Sequence, residues 1–139
     1  MYKRILVAVD GSANSKRAAE HAAYLASLNP VATVQVLYIL DYDRTRSDVL
    51  YNASSDDLHI DRQKQLMPIE DVFKQRNIAY ELIIKHGEAG PTIVSFANTN
   101  GFDLVIVGSR GLNTFQEMVL GSVSHKVAKR VTAPVLIVK

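Results

Sequence analysis

The feature that most constrains the fold of this chain is an uninterrupted apolar run near its start. Ile5-Leu6-Val7-Ala8-Val9 contains no polar residue, whereas a strand with one face in water alternates apolar and polar side chains. A strand that is apolar at every position is covered on both faces, which is typical of parallel sheets between helices. The run therefore predicts an α/β protein built on a parallel sheet.

Four further segments have the composition of strands, and segments with helical spacing separate them. The strands are predicted at Val31 to Leu40, Ala79 to Lys85, Leu104 to Val107 and Val135 to Val138. The helices are predicted from Ser12 or Ser15 to about Leu28, from near Ser54 to Asp57 onward, from Pro91 to Ala97 and from Ser122 to Val131. Right-handed crossovers between such strands give one open five-stranded parallel sheet sandwiched between helices, a Rossmann-like α/β fold.

The middle of the chain departs from this simple alternation. The segment Asp41 to Arg46 carries charges of both signs and is expected to be a loop. The helix that follows contains Pro68, which lacks a main-chain donor and should bend or split that helix near the preceding turn.

Length and composition limit the classes of function. The chain has 139 residues, 47% of them apolar and 22% charged, which fits one globular domain covering 1–139. A net charge of +2 with scattered Lys and Arg does not favour nucleic acid as a partner. Without cysteine, a long apolar segment or a signal peptide, the sequence predicts a cytoplasmic protein that is not bound to membranes.

Two glycine clusters carry the functional signal. Gly108-Ser109-Arg110-Gly111 follows the fourth predicted strand, and Gly121-Ser122-Val123-Ser124 opens the last predicted helix. Open parallel sheets bind ligands outside the carboxyl ends of their strands. Glycine at Gly108 would permit a positive φ and let a ligand approach the bare main chain.

The second cluster suits an anion. The first amides of a helix lack acceptors within the helix, and the helix dipole adds about 0.3 to 1 kcal/mol for a negative group near them. The hydroxyls of Ser122 and Ser124 could also donate to phosphate oxygens. Amides from the two glycine clusters would then surround a chain of phosphates without needing a lysine.

Each of these features also has a plainer interpretation. Asp10-Gly11-Ser12 could be only a turn and a helix cap, and Gly108 and Gly111 could only relieve crowding. Arg110 could be a solvated charge on an exposed loop. The four histidines, at positions 21, 59, 86 and 125, lack the spacing of a metal site, so no protein-built metal centre is expected. Lys126, Lys129 and Arg130 are expected on the solvent side of the last helix.

The pattern Gly-x2-Gly-x9-Gly-Ser resembles the nucleotide-binding signature of the ATP-binding branch of the universal stress protein family. The similarity extends over the whole chain, through the opening Ile5 to Ser12, the middle segment Asp103 to Gly108 and the closing segment Ala133 to Val138. The resemblance implies an adenine nucleotide alpha hydrolase-like fold with strand order 3-2-1-4-5.

The resemblance also implies a role for particular positions. The end of the first strand would lie beside ribose and adenine, with Asp10 on a sugar hydroxyl, and Ile39 would meet adenine through its main chain. The loop from Gly108 to Thr114 would hold ribose and the inner phosphates, and the residues after Gly121 would hold the outer phosphates. The complete set of implied ligand-binding residues is Ala8, Val9, Asp10, Ile39, Gly108, Ser109, Arg110, Gly111, Leu112, Asn113, Thr114, Gly121, Ser122, Val123 and Ser124.

Three functions remain open from sequence. The first is an ATP-binding dimeric regulator of the stress response, with Mg²⁺ held by the phosphates and no catalytic residue. The second is a slow ATP hydrolase or autophosphorylating protein, although no P-loop or catalytic dyad is present. The third is an interaction protein that does not bind nucleotide and pairs through the apolar edge strand Val135 to Val138. The resemblance implies a homodimer through that same strand.

Overall fold

The computed structural model describes residues 1–40, 55–109 and 121–139, and for residues 55–61 it describes the main chain alone. The strands are β1 (Arg4–Val9), β2 (Thr33–Leu40), β3 (Tyr80–His86), β4 (Leu104–Gly108) and β5 (Val135–Val138). The described helices are α1 (Ala13–Ser27), α2 (Ser55–Gln75), α3 (Ala89–Asn100) and α4 (Ser122–Arg130). The segment predicted as a polar loop, Asp41 to Arg46, lies outside the described residues.

The five strands form one parallel sheet in the order β3-β2-β1-β4-β5. The central strand β1 pairs with β2 and with β4, so that Val7 is opposite Val36 on one side and Ile106 on the other. Both the α/β fold class and the predicted strand order are confirmed.

Helices cover both faces of the sheet, and each face has its own apolar core. On one face, Ile5 and Val7 pack with the alanines of α1 and with Phe73 of α2. On the other face, Leu6 and Val105 pack with Val127 of α4. Because alternate side chains of β1 enter different cores, the apolar run has to be continuous, as the sequence indicated.

Helix α1 begins where its capping residue predicts. Ser12 is the N-cap, and its side chain accepts a hydrogen bond from the Ser15 main-chain nitrogen at 3.2 Å. Ala18 and Ala22, on the side of the helix that packs on the sheet, are fully buried. Small side chains at these positions let the helix axis lie close to the sheet.

Of the two outcomes predicted at Pro68, a bend or a split, the split is wrong, because helix α2 runs as one element from Ser55 to Gln75. Pro68 is on the exposed side, while Ile69 and Phe73 are buried in the core. Burial of apolar side chains beyond the proline stabilises the helix despite the lost donor. The helix ends at Gln75; in the turn that follows, Asn77 has a left-handed φ of 55°, and the Ile78 nitrogen donates back to the Phe73 carbonyl at 2.9 Å.

The other boundaries differ from the predictions by a few residues. Strand β2 begins at Thr33 instead of Val31, because Val31 is exposed and the Ala32 amide donates to the Asn29 carbonyl at 3.0 Å in a turn. Helix α3 is longer than predicted at both ends. In the described part of the chain, no helix is long and apolar enough to cross a membrane.

Candidate functional site

The sheet order places the predicted site residues along one edge. Asp10 follows β1, Gly108 ends β4 beside it, and Ile39 lies near the end of β2 on the other side of β1. Carboxyl ends of parallel strands share one edge, so these three positions lie on the side of the sheet where such folds bind ligands. Arg110, Gly111, Leu112, Asn113 and Thr114 are outside the described residues.

Three of the predicted residues share one apolar cluster at this edge. Ala8 belongs to the core between the sheet and helices α3 and α4, and Ile39 and Val123 are half-buried against the same core. The side chain of Val9 enters the opposite core, with α1 and α2. Val9 could therefore reach a ligand on the side of Ala8 and Ile39 only through its main chain.

Asp10 forms the turn that the plainer interpretation expected. Its Oδ1 accepts a hydrogen bond from the Ser12 main-chain nitrogen at 2.9 Å, and Gly11 between them has a φ of +83°. The side chain of Asp10 is nevertheless exposed at the carboxyl edge of the sheet. A carboxylate has more acceptor positions than this turn uses, so the turn does not exclude a second role.

Gly108 is required for a different reason from the one the sequence suggested. Among the described residues, a positive φ occurs at Gly11, Asn77, Gly87 and Gly101, and Gly108 does not share it. A Cβ built on Gly108 would lie 2.8 Å from the main chain of Asn14. Helix α1 therefore approaches β4 so closely that a side chain at Gly108 has no room on that side.

Ser109 corrects the expectation that amides at both corners are open donors. Its main-chain nitrogen donates to the Val138 carbonyl at 2.8 Å, and its carbonyl accepts a hydrogen bond from Asn14 Nδ2. The residue is 3% exposed. Ser109 extends the hydrogen bonding between β4 and β5, so its amide is used by the sheet.

In the described part of the chain, no acceptor is bonded to the first-turn amides of α4. Gly121 is the N-cap, with φ −60° and ψ 156°, and no side chain caps this helix in the described structure. The amides of Ser122, Val123 and Ser124 have no acceptor within the helix. The described first turn carries no acidic side chain, while Lys129 and Arg130 occupy the last turn, so the charges leave the amino end favourable for an anion.

The two serines of that turn differ. Ser122 is exposed, whereas Ser124 is 1% exposed and its hydroxyl donates to the Gly121 carbonyl at 3.0 Å. The expectation that the Ser124 hydroxyl donates to phosphate is therefore corrected, because its proton is used within the helix. Ser124 retains its main-chain amide as a possible donor.

The basic residues of α4 are only in part where the sequence placed them. Lys129 and Arg130 are exposed, but Lys126 is half-buried, and its side chain crosses Gly90 so closely that a Cβ there would lie 2.9 Å from Lys126 Cδ. His21, His86 and His125 are exposed. The described residues contain no group of three His, Cys, Asp or Glu side chains placed to hold a metal ion.

Comparison with known proteins assigns the family. Residues 1–139, the whole sequence, match the family described as the universal stress protein family. The chain belongs to this family. A curated relative, the universal stress protein YxiE of Bacillus subtilis, is 32% identical over the full length of both chains.

Solved structures of universal stress proteins share the fold. One is MJ0577 of Methanocaldococcus jannaschii, whose sequence is 29% identical to this chain. Its structure matches with a TM-score of 0.82 over 100% of this chain and 96% of that one. A universal stress protein solved in complex with cAMP is 27% identical with a TM-score of 0.73, over 99% of this chain and 97% of the other.

Sequence reasoning missed two residues of this universal stress protein: Asn14, which contacts the candidate site, and Arg17, which contacts Asn14. Asn14 is 6% exposed in the first turn of α1, bonded to the Ser109 carbonyl, and Arg17 Nη2 donates to Asn14 Oδ1. A signal was present, because Asn14 stands four residues before Ala18 on the buried stripe of the helix. A polar residue on a buried stripe requires a partner.

Proposed function

We propose that this universal stress protein binds an adenine nucleotide at the carboxyl edge of its sheet and acts as a nucleotide-dependent regulator. The observation that carries the proposal is the uncapped first turn of α4, whose amides open beside the apolar cluster containing Ala8, Ile39 and Val123. Such a site combines an apolar wall for a base with donors for phosphate.

The apolar wall supports binding of the base. Ala8 is a small residue with 8% of its surface exposed, and Ile39 and Val123 are half-buried around the same core. A flat purine gains free energy by covering such side chains. The exposed carboxylate of Asp10, two residues after Ala8, is the group proposed to accept a hydrogen bond from a ribose hydroxyl.

The helix terminus supports binding of phosphate. Three amides without helical acceptors and the exposed hydroxyl of Ser122 would donate to phosphate oxygens. The helix dipole contributes about 0.3 to 1 kcal/mol to an anion there. Magnesium would be held by the phosphates, and Gly108 to Thr114 would enclose the ribose and inner phosphates, as the sequence motif implies.

A relative supports the class of ligand. The universal stress protein solved with cAMP is 27% identical to this chain along almost its full length. Because of that likeness and the complete glycine motif, we propose that this chain also binds an adenine nucleotide. ATP is the nucleotide proposed, because the open amides of α4 suit a longer chain of phosphates than cAMP carries.

Regulation that depends only on whether nucleotide is bound requires no catalytic residue. A ligand that binds only the native state adds about 2.7 kcal/mol of stability at a hundredfold excess over Kd. The proposed output is a change in a homodimer formed through β5, which lies at one edge of the sheet. The same edge position favours the second candidate, a dimeric interaction protein that binds no nucleotide.

The proposal is tested by identifying the ligand and by changing the helix terminus. Freshly purified protein is denatured and any released small molecule is identified by chromatography and mass; thermal unfolding is then followed with ATP and MgCl₂, cAMP and GTP. Gly121→Val should abolish the adenine nucleotide and the ATP-induced rise in Tm, because a branched side chain next to the first-turn amides obstructs the phosphates.

Ala128→Val is the matched control. It adds two methyl groups, one carbon fewer than Gly121→Val, at an exposed position of α4 beyond the first turn, and it should retain the nucleotide response. If the unaltered protein releases no nucleotide and no adenine nucleotide raises its Tm, the regulator is rejected and the interaction protein remains.

A further inference from the structure

Three hydrogen bonds connect the end of β5 to the end of β4 through helix α1. Arg17 Nε donates to the main-chain oxygen of Lys139 at 2.8 Å, and Arg17 Nη2 donates to Asn14 Oδ1. Asn14 Nδ2 then donates to the Ser109 carbonyl. The Arg17 guanidinium and the Asn14 side-chain amide thereby connect Lys139 to Ser109.

The peptide groups of Ser109 are held on two sides by this arrangement. The Ser109 nitrogen donates to the Val138 carbonyl at 2.8 Å, and the Ser109 carbonyl accepts from Asn14. Ser109 is the first residue after β4, and the glycine motif of the proposed nucleotide site continues from it. These hydrogen bonds therefore fix the orientation of the Ser109 peptide groups at the end of β4.

The half of the link formed by Asn14 and Ser109 is enclosed by protein, whereas Arg17 and Lys139 are exposed. Asn14 and Ser109 are 6% and 3% exposed, and Gly108 allows the main chain of Asn14 to approach. Buried polar groups that lose a partner are costly, so the Ser109 carbonyl is held firmly only while Asn14 donates to it. Arg17 fixes the Asn14 amide in the orientation that directs Nδ2 toward Ser109, because its own donor occupies Oδ1.

We propose that Asn14 and Arg17 are positioning residues for the nucleotide, which orient Ser109 at the start of the glycine motif and tie that orientation to the C-terminal strand. This inference rests on the proposed function. It identifies residues outside the glycine motif that set the affinity of the protein for the nucleotide. Arg17 acts through its geometry, as a fork that reaches Lys139 and Asn14 together, and its charge is not the reason for the effect.

The decisive variant is Arg17→Lys, which keeps the positive charge but cannot hold both acceptors in the geometry of the fork. The Kd for ATP with MgCl₂ is measured by calorimetry at a temperature where every variant is folded. Arg17→Lys and Arg17→Ala should weaken binding by similar factors, about fivefold to tenfold. Lys16→Ala, which removes one charge from an exposed neighbour on α1, should leave the Kd unchanged.

A double-mutant cycle tests whether the two residues act in series. Asn14→Ala should weaken binding at least as much as Arg17→Ala, and adding Arg17→Ala to it should cause little further loss. Amide hydrogen exchange at Ser109 gives a readout without nucleotide, and it should become faster in Arg17→Lys but not in Lys16→Ala.

The outcomes separate this inference from the proposed function. If the unaltered protein binds no adenine nucleotide, the proposed function fails and the inference fails with it. If it binds ATP and Arg17→Lys binds equally well, or if Ser109 exchange is unchanged, the positioning role alone is overturned. Loss in Arg17→Ala that Arg17→Lys restores would assign the effect to charge and would also overturn it.

Discussion

The main chains of Gly108 and Asn14 are in contact across the boundary between β4 and α1. A Cβ at Gly108 would lie 2.8 Å from both the carbonyl carbon and the carbonyl oxygen of Asn14. Neither group is a flexible side chain, so neither can move aside without shifting the helix. The contact brings the Asn14 side chain within reach of the Ser109 carbonyl.

Gly108→Ala should destabilise the fold, because the added methyl group forces α1 away from β4. Overpacking of this kind costs about 1 to 3 kcal/mol, and urea denaturation would measure the loss. Gly121→Ala is the control, since φ −60° and ψ 156° at Gly121 are accessible to any residue. Equal stability of the Gly108 and Gly121 variants would contradict the contact.

The hydrogen bond between Tyr80 and Glu70 should make stability depend on alkaline pH. Tyr80 donates to Glu70 Oε1 at 2.8 Å, and burial, followed by this hydrogen bond, raises the pKa of Tyr80 from 10.0 to about 12. The raised pKa means that the neutral phenol is favoured in the folded state. Its contribution is present below pH 10.0 and is lost as the pH rises toward about 12.

Tyr80→Phe should remove that part of the pH dependence. At neutral pH it should cost about 1 kcal/mol, as for a typical hydrogen bond, and the difference from the unaltered protein should shrink as the pH approaches the raised pKa of Tyr80. Denaturation midpoints across alkaline pH, together with the ultraviolet absorbance of tyrosinate, provide the measurement. A constant difference at all pH values would argue against the shifted pKa.

Asp103 should stabilise the amino end of β1 in a way that acid removes. Its Oδ2 accepts from the main-chain nitrogens of Arg4 at 2.9 Å and Lys3 at 3.0 Å, and these hydrogen bonds lower the pKa of Asp103. A lowered pKa contributes stability above the pKa of the unfolded chain, and the contribution disappears as the pH falls through the folded value.

Asp103→Asn keeps an oxygen acceptor but removes the charge. It should be less stable than the unaltered protein at neutral pH, and the two should converge in acid, below the lowered pKa of Asp103. Urea midpoints at several acidic pH values would show this convergence. Curves that remain parallel down to the lowest pH would exclude a charge-dependent role.

If two copies of the chain pair through β5, a proline should break the pair at a position of β5 whose amide points away from β4. The Val105 nitrogen donates to the Pro134 carbonyl and the Ser109 nitrogen to the Val138 carbonyl, and alternate residues of a parallel strand bond to the same neighbour. Val135 therefore directs its amide away from β4. Val135→Pro should leave the sheet intact and yield a monomer in sedimentation velocity.

Ile84→Pro is the corresponding change at the opposite edge of the sheet. The Gly87 nitrogen donates to the Leu40 carbonyl, so by the same alternation Ile84 directs its amide away from β2. This variant should keep the oligomeric state of the unaltered protein. Dimers in both variants would reject pairing through β5, and dimers lost only in Ile84→Pro would place the interface at β3.

The fold could be predicted because the pattern of apolar residues in a strand indicates which of its faces are buried. Ile5 to Val9 has to be apolar on both faces, and Ser12 marks the start of α1. The continuity of α2 could not be predicted, since the proline penalty at Pro68 is local while the burial of Ile69 and Phe73 that offsets it is tertiary.

The candidate site could be predicted only as positions along the chain. The glycine motif indicated the corners, but not that the Ser109 amide is used by Val138 or that the Ser124 hydroxyl is used by Gly121. Both partners depend on how the motif packs. Asn14 and Arg17 stand outside the motif, and their connection to Ser109 exists only once α1 lies on β4.

The position of β1 at the centre of the sheet has a consequence for synthesis of the protein. β1 precedes the other strands of the sheet along the chain, yet its neighbour β4 is far away in the sequence, since Ile5 pairs with Leu104. An emerging chain therefore carries the apolar residues Ile5 to Val9 with one unpaired side until β4 has left the ribosome. Completion of the sheet must therefore wait for a long-range contact, which slows folding and leaves the apolar side of β1 open to aggregation in the meantime.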